Sequence, residues 1–320
     1  MWVALRTGVS PHVHDGGYTN RSESDNEVGR RPGSVADGVQ REAGPLHDHY
    51  PSRMPELPEV ESVRRQLDPE LSGRRVTDVW HDPHPGLPRQ FGGLERLAGR
   101  KVQGVGRRGK FLLAPLDAGL ELVMHLGMTG SFRFDVVDRF VRARLFLDDG
   151  RELVFRDTRR FGRLAVVDAG DYSSIPMLAT LGPEPLSDEF DVSAFTSDLA
   201  RTRAPIKPYL LSQRPVAGVG NIYADEALWR ARIHPLSRRV GPARARALHE
   251  AIRTVLTHAI EREGTTFRDY VMVNGDSGRN AAHLVAYGRA GEPCLRCGTP
   301  LRRIFLAGRG TTYCPRCQRH

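Results

Sequence analysis

At 320 residues and 39% hydrophobic content, the chain can bury two cores, and no apolar run approaches the ~18 residues of a membrane-spanning helix. The formal net charge is +9, unevenly placed: residues 1–53 hold 6 Lys+Arg and 7 Asp+Glu, residues 54–200 hold 20 and 23, and residues 201–320 hold 21 and 8. A positive excess confined to the last third is the footprint of polyanion binding, with a solvated arginine face as the plain alternative. The opening residues lack the apolar centre of a secretory signal, so a cytoplasmic protein is expected.

Residues 1–53 are rich in Gly, Ser, Asp, Arg and His without a period of 2 or 3.6, and read as a disordered extension. At residue 54 the pattern changes. Met54-Pro55-Glu56-Leu57-Pro58-Glu59 puts two prolines and two carboxylates at the mouth of a helical repeat, Val60, Val63, Leu67 and Leu71, which Gly73 stops. Strands are predicted over 76–80, 101–105, 111–114, 120–125, 131–134, 142–147, 152–156 and 163–167, with Asp149-Gly150 as a hairpin turn. Eight short strands after one helix suggest a β-sandwich or flattened barrel. The Pro/Gly-rich residues 181–186 read as a linker. Helices are predicted beyond it over 191–200, 206–212, 223–230 and 242–263, with a short one at 267–270.

Three features carry chemistry. Cys294-x2-Cys297-x16-Cys314-x2-Cys317 uses every cysteine and has the spacing of a four-thiolate zinc site, two knuckles joined by a hairpin. Such a closed site makes one structural Zn²⁺ the expected cofactor; two disulfides are the alternative, disfavoured without secretion. Between the knuckles, Gly308 and Gly310 flank Arg309 at the presumed hairpin tip, suited to phosphate or groove insertion. Gly218-Val219-Gly220-Asn221 opens a helix from a glycine turn. Its N–H groups can approach an anion, with Asn221 as N-cap or phosphate donor; bare loop geometry is the plainer reading. Lysine is rare: Lys101, Lys110 and Lys207 stand against 44 arginines, which marks them for inspection.

The ordered set of motifs resembles the formamidopyrimidine-DNA glycosylases, the Fpg branch of the Fpg/Nei family. It runs through residues 54–59, Arg107-Arg-Gly-Lys110, His125-Leu-Gly-Met128-Thr-Gly130, Asp157-Thr-Arg159-Arg-Phe161-Gly, residues 181–186, Ile206-Lys207-Pro, Gly218-Val-Gly-Asn221, Tyr287-Gly-Arg289 and the knuckles. Leu57 favours this branch over the endonuclease VIII branch. The resemblance covers residues 54–320. It implies a multidomain α+β protein: an N-terminal helix plus β-sandwich (54–185), a helical helix–two-turn–helix domain (186–280) and a C-terminal zinc ribbon (281–320). It also implies a monomer acting on double-stranded damaged DNA, with no membrane. The implied activity is that of a bifunctional glycosylase and AP lyase of base excision repair, removing 8-oxoguanine and formamidopyrimidines.

The resemblance assigns roles to residues. An N-terminal proline is a secondary amine whose pKa near ~8 leaves a neutral fraction at pH 7, able to attack C1′ of a flipped nucleotide. Pro55 would be that nucleophile, Glu56 its general acid/base and Glu59, one turn on, its support; an acidic first turn alone is equally explained by the helix dipole. Lys110, Asn221 and Arg309 fall on phosphate-contacting positions, Lys110 and Arg309 also assisting elimination. Lys207 matches a lysine near the damaged base, and Tyr287 is a further phosphate candidate. Met128, Arg159 and Phe161 match residues that fill the hole left by base flipping. Thr158, Arg279 and Asn280 depart from the family pattern. An internal proline nitrogen is an amide, so residues 1–53 are expected to be a mis-assigned start or a removed leader. Two other readings are a non-enzymatic damaged-DNA binder, should Pro55 stay internal, and a generic zinc-ribbon nucleic-acid protein.

Overall fold

The computed structural model describes residues 54–83 and 90–320; the expectations for residues 1–53 lie outside it. Helix α1 (Leu57–Leu71) starts where Pro58 supplies a ready φ in the first turn, and ends at Ser72 and Gly73, the latter at φ 82°. Its Val60, Val63, Leu67 and Leu71 enter the first core, each side chain contributing about 1.5–3 kcal/mol by leaving water.

That core lies between two sheets. One has strand order β1-β7-β8-β6, from β1 (Val76–His81), β6 (Gly130–Phe134), β7 (Val141–Leu147) and β8 (Glu152–Asp157). The other has order β2-β9-β5-β4-β3, from β2 (Phe91–Gly92), β3 (Gly106–Arg108), β4 (Phe111–Pro115), β5 (Leu120–His125) and β9 (Arg163–Asp168). Phe132, Leu145 and Phe155 meet Leu112, Leu122 and Leu164 across the interior, which makes the sandwich. Residues 149–150 turn the β7–β8 hairpin as expected, with Gly150 at φ 86°. β5 is buried along its whole length because alternate residues face opposite ways: Leu122 and Met124 enter the sandwich, while Val123 joins Phe111 and Leu178 of the one-turn α2 (Pro176–Ala179).

Residues 101–105 are not the predicted strand. Val102 and Val105 are buried, but they stand three residues apart, off the period of two that a strand requires. Pairing reduces to single bridges, and the Val105 N–H donates to Asp68 rather than to a neighbour strand. Residues 181–186 are no loose linker. The Gly182 N–H donates to the Gln213 carbonyl, and Glu184 pairs with Arg107 and Arg108, so the crossing is pinned on both sides.

Beyond it, α3 (Val192–Arg201), α4 (Ile206–Leu211), α5 (Asn221–Arg230) and α6 (Pro242–Glu261) share a second core, which also takes Leu57 from α1. The Asp191 carboxylate caps α3, accepting from Ser193 and Ala194 N–H. Residues 267–270 are not helical. Tyr270 turns inward, its hydroxyl bonded to the Glu59 carbonyl, and with Met272 and Val273 it joins the first core. At the C-terminus β10 (Arg302–Leu306) and β11 (Arg309–Tyr313) form a hairpin between the cysteine pairs. No helix among the described residues is long and apolar enough to cross a membrane.

Candidate active site

The start of α1 meets the start of α5. The Glu56 carboxylate sits on the α5 N-terminus: Oε1 accepts from the Ile222 N–H at 2.8 Å, and Oε2 from the N–H groups of Gly220 at 2.8 Å and Tyr223 at 3.3 Å. Four free N–H groups and the positive end of the dipole make a helix start an anion site. The glycine turn expected to cradle phosphate therefore holds the protein's own carboxylate. Its glycines permit that approach: a Cβ on Gly220 would lie 2.2 Å from Glu56 Cδ, and one on Gly218 (φ 82°) 2.4 Å from Leu57 Cδ1. Nor is Asn221 the N-cap, which is Gly220. Asn221 Nδ2 instead donates to the Gly310 carbonyl at 3.1 Å, tying α5 to the ribbon tip.

Glu59 lies directly behind Glu56. Its Oε2 accepts from the Glu56 N–H at 2.8 Å, and its Oε1 accepts from the Tyr223 hydroxyl at 2.5 Å and the Thr265 N–H at 2.6 Å. Burial pushes the Glu59 carboxyl up to about 7, with the Glu56 charge adding to the push. Burial raises Glu56 too, opposed by Lys110 and three backbone N–H groups. Burial and the neighbouring Glu56 charge thus favour the protonated form of Glu59.

Glu56 opens into a cavity of about 510 Å³ whose wall includes Met54, Lys110, His125, Met128, Asn221, Tyr287 and Arg309. Desolvation holds the Lys110 ammonium below its ordinary value; Glu56 and Glu59 oppose this, and Arg309 adds to it. Arg309 is exposed and begins β11 just after the tight turn at Ala307 and Gly308, with φ 47° and 71°. The cavity thus carries three cationic residues, Lys110, Arg303 and Arg309, beside the Glu56 carboxyl. A second cavity, about 500 Å³, shares Met54, Phe111, His125, Met128 and Met177 with it and extends to Phe161. Phe161 is exposed on its wall, and Arg159, also exposed, holds its guanidinium 5.1 Å from the Phe161 ring centre.

Lys207 is not on this wall. Its ammonium is 0% exposed, donating to Asp225 Oδ1 at 2.6 Å and Thr311 Oγ1 at 2.9 Å. Burial drives both charges toward neutrality, the Asp225 carboxyl up to about 6 and the Lys207 ammonium downward, while their attraction resists. Asp225 Oδ2 also accepts from the Thr312 N–H. The pair clamps α4 and α5 to β11, two residues from Arg309, and leaves Lys207 no exposed surface. Tyr287 is buried, its hydroxyl 3.5 Å from Asn221 Nδ2.

Sequence reasoning passed over three residues. His125 lies in both cavities, its Nδ1 accepting from the Gly127 N–H. Burial, with Lys110 and Arg163, lowers its pKa to about 4, so the ring is neutral. Glu226 accepts from the N–H groups of Val285, Ala286 and Tyr287 and fixes the segment before the ribbon. Asp225 was legible as adjacent carboxylates in an otherwise apolar helix.

The thiols of Cys294, Cys297, Cys314 and Cys317 lie within 4.8 Å of one another. Zn–S bonds of ~2.3 Å in a tetrahedron require sulfurs ~3.8 Å apart, close to the 3.5 Å from Cys297 to Cys314 Sγ. Trp229 Nε1 donates to Cys294 Sγ and the Cys317 N–H to Cys314 Sγ, contacts that suit thiolates. The donor set fits one structural zinc.

Residues 54–164 match the formamidopyrimidine-DNA glycosylase N-terminal domain, residues 181–271 its H2TH domain, and residues 291–319 the zinc finger found in FPG and IleRS. The chain is 46% identical over 278 residues to the formamidopyrimidine-DNA glycosylase of Deinococcus radiodurans, covering 83% of this chain and 97% of that protein. It is 48% identical over 269 residues to that of Thermus thermophilus, at 83% and 98% coverage. Among solved structures it resembles MutM (FPG) from Thermus thermophilus, with TM-score 0.78, 47% identity and coverage of 82% and 98%. It also resembles wild-type Lactococcus lactis Fpg in complex with N7-benzyl-Fapy-dG DNA, with TM-score 0.76, 35% identity and coverage of 83% and 100%. With three domain models matched at residues 54–164, 181–271 and 291–319 and relatives 46–48% identical over 83% of its length, the chain belongs to the formamidopyrimidine-DNA glycosylase family.

Proposed function

We propose that this base-excision-repair glycosylase removes oxidised purines through a Schiff base on Pro55 and then cleaves the strand by β,δ-elimination, in a form that begins at Pro55. The observation that carries the reading is the junction of α1 and α5: Met54 and Glu56, the residues on either side of the buried Pro55, line one cavity with Lys110 and Arg309. The free amine attacks C1′ of the flipped nucleotide. The N–C1′ bond forms as the sugar ring opens, the glycosidic bond breaks, and the base departs with a proton. Glu56 is the group at hand to move protons, and burial raises its carboxyl pKa against the pull of Lys110 and three backbone N–H groups.

Lys110, Asn221 and Arg309 bind the phosphates flanking the opened sugar, and Arg309 assists the second elimination. Tyr287 supports Asn221. Met128, Arg159 and Phe161 enter the space the base has left. Lys207 acts indirectly, by holding the ribbon that carries Arg309. The protein works as a cytoplasmic monomer on duplex DNA, and its units follow the boundaries 54–185, 186–280 and 281–320.

A second reading has its own observation. In the 320-residue chain the Pro55 nitrogen is an amide, and Met54 lines the cavity beside Glu56. In that form the protein is a damaged-DNA binder without chemistry. Single-turnover release of 8-oxoguanine separates the two: the chain beginning at Pro55 excises and the 320-residue chain does not. Equal excision by both would overturn the Pro55 mechanism.

A further inference from the structure

The turn between β5 and β6 carries Met128, and the turn between β8 and β9 carries Arg159 and Phe161. One buried side chain joins them. Asp157, the last residue of β8, is 0% exposed. Its Oδ1 accepts from Thr129 Oγ1 at 2.5 Å and from the Arg159 N–H at 3.1 Å. Its Oδ2 accepts from the Gly162 N–H at 2.7 Å and from Gln90 Nε2 at 3.3 Å. Thr129 Oγ1 accepts in turn from the Arg159 N–H at 3.1 Å, closing a triangle across the two turns.

The backbones interlock around this carboxylate. A Cβ on Gly127 would fall 2.5 Å from the Phe161 carbonyl carbon, and one on Gly162 would fall 2.4 Å from Phe155 Cζ. Arg160, between Arg159 and Phe161, sits at φ 59°, where a non-glycine residue is held only by its surroundings. Among the described residues Asp157 has no ion-pair partner; a fully buried carboxyl without a cation is costly unless its oxygens are saturated by donors. Here those donors come from both turns.

We propose that Asp157 is the positioning residue that fixes Met128, Arg159 and Phe161 in one register, so that discrimination of the base opposite the lesion depends on it. This rests on the reading that those three residues occupy the opened duplex. A guanidinium only donates. It pairs with the adjacent acceptors of cytosine and meets an amino donor on adenine, so a shift of the Arg159 backbone changes the ratio between the two opposite bases.

The test is single-turnover excision of 8-oxoguanine opposite cytosine and opposite adenine by the chain beginning at Pro55. Asp157→Asn is expected to lower excision opposite cytosine by about tenfold and to compress the cytosine-to-adenine ratio as Arg159→Ala does. The double variant is expected to fall no further than about twofold below Arg159→Ala, because the two residues act through one contact. Thr129→Val, which removes the bridging hydroxyl and keeps the carboxylate, is expected to move the ratio the same way, and carries the test if Asp157→Asn does not fold. An unchanged ratio in Asp157→Asn or Thr129→Val, with Arg159→Ala compressed, would overturn the role of Asp157 while leaving that of Arg159 intact. An unchanged ratio in Arg159→Ala would overturn the reading beneath both.

Discussion

Glu56 and Glu59 show how burial becomes chemistry. A carboxyl whose folded pKa is raised adds stability that is fully present below its unfolded pKa, 4.5 for Glu59, and lost as pH rises through the folded one, about 7. Urea unfolding between pH 5 and 8 should therefore show stability falling as pH rises, and Glu59→Gln, with no proton to release, should have a shallower slope. The difference in slope should integrate to a few kcal/mol at about 1.4 kcal/mol per pKa unit, and parallel slopes would count against a coupled pair. Gly220 makes the second residue-scale case. Gly220→Ala puts a methyl 2.2 Å from Glu56 Cδ, and the carboxylate must leave the helix start. Excision should drop by about 10²-fold, since ångström misplacements cost that much, with zinc content kept; near-normal excision would show that Glu56 has no need of its three N–H partners.

At the scale of elements, most of the fold was legible and the joints were not. Hydrophobic periodicity located α1, α3, α4, α5 and α6 and seven of the eight predicted strands within a residue or two. The eighth, at 101–105, failed because its two buried valines stand three apart rather than two, and pairing depends on a neighbour the sequence does not name. Tyr270 looked like part of a short helix because its partner, the Glu59 carbonyl, lies 211 residues away. The candidate site divided in the same way. Residue type and motif pointed to Pro55, Glu56, Lys110 and Arg309, but nothing local marked the anion at the glycine turn as Glu56, or Lys207 as a buried brace. That brace can be tested. Lys207→Met leaves Asp225 buried without its cation, which should cost about 3–5 kcal/mol in denaturant unfolding. Adding Asp225→Leu should recover part of the loss, and a harmless single substitution would contradict the clamp.

In the whole molecule, α1 contributes to both large cores and the ribbon is fastened to α5, so the cavity exists only while sandwich, helices and zinc hairpin are all in place. Removing zinc with a chelator should release the ribbon, change the fluorescence of Trp229, whose indole donates to Cys294, and abolish excision. Retained excision after verified zinc loss would contradict this dependence. The central claim is that the Pro55 amine does the chemistry. Its most direct measurement is borohydride trapping on lesion-containing duplex DNA, with the adduct mapped by peptide mass. The chain beginning at Pro55 should yield a covalent complex on Pro55 and the 320-residue chain none; no adduct from the Pro55 form, or an adduct on Lys110 instead, would contradict the account.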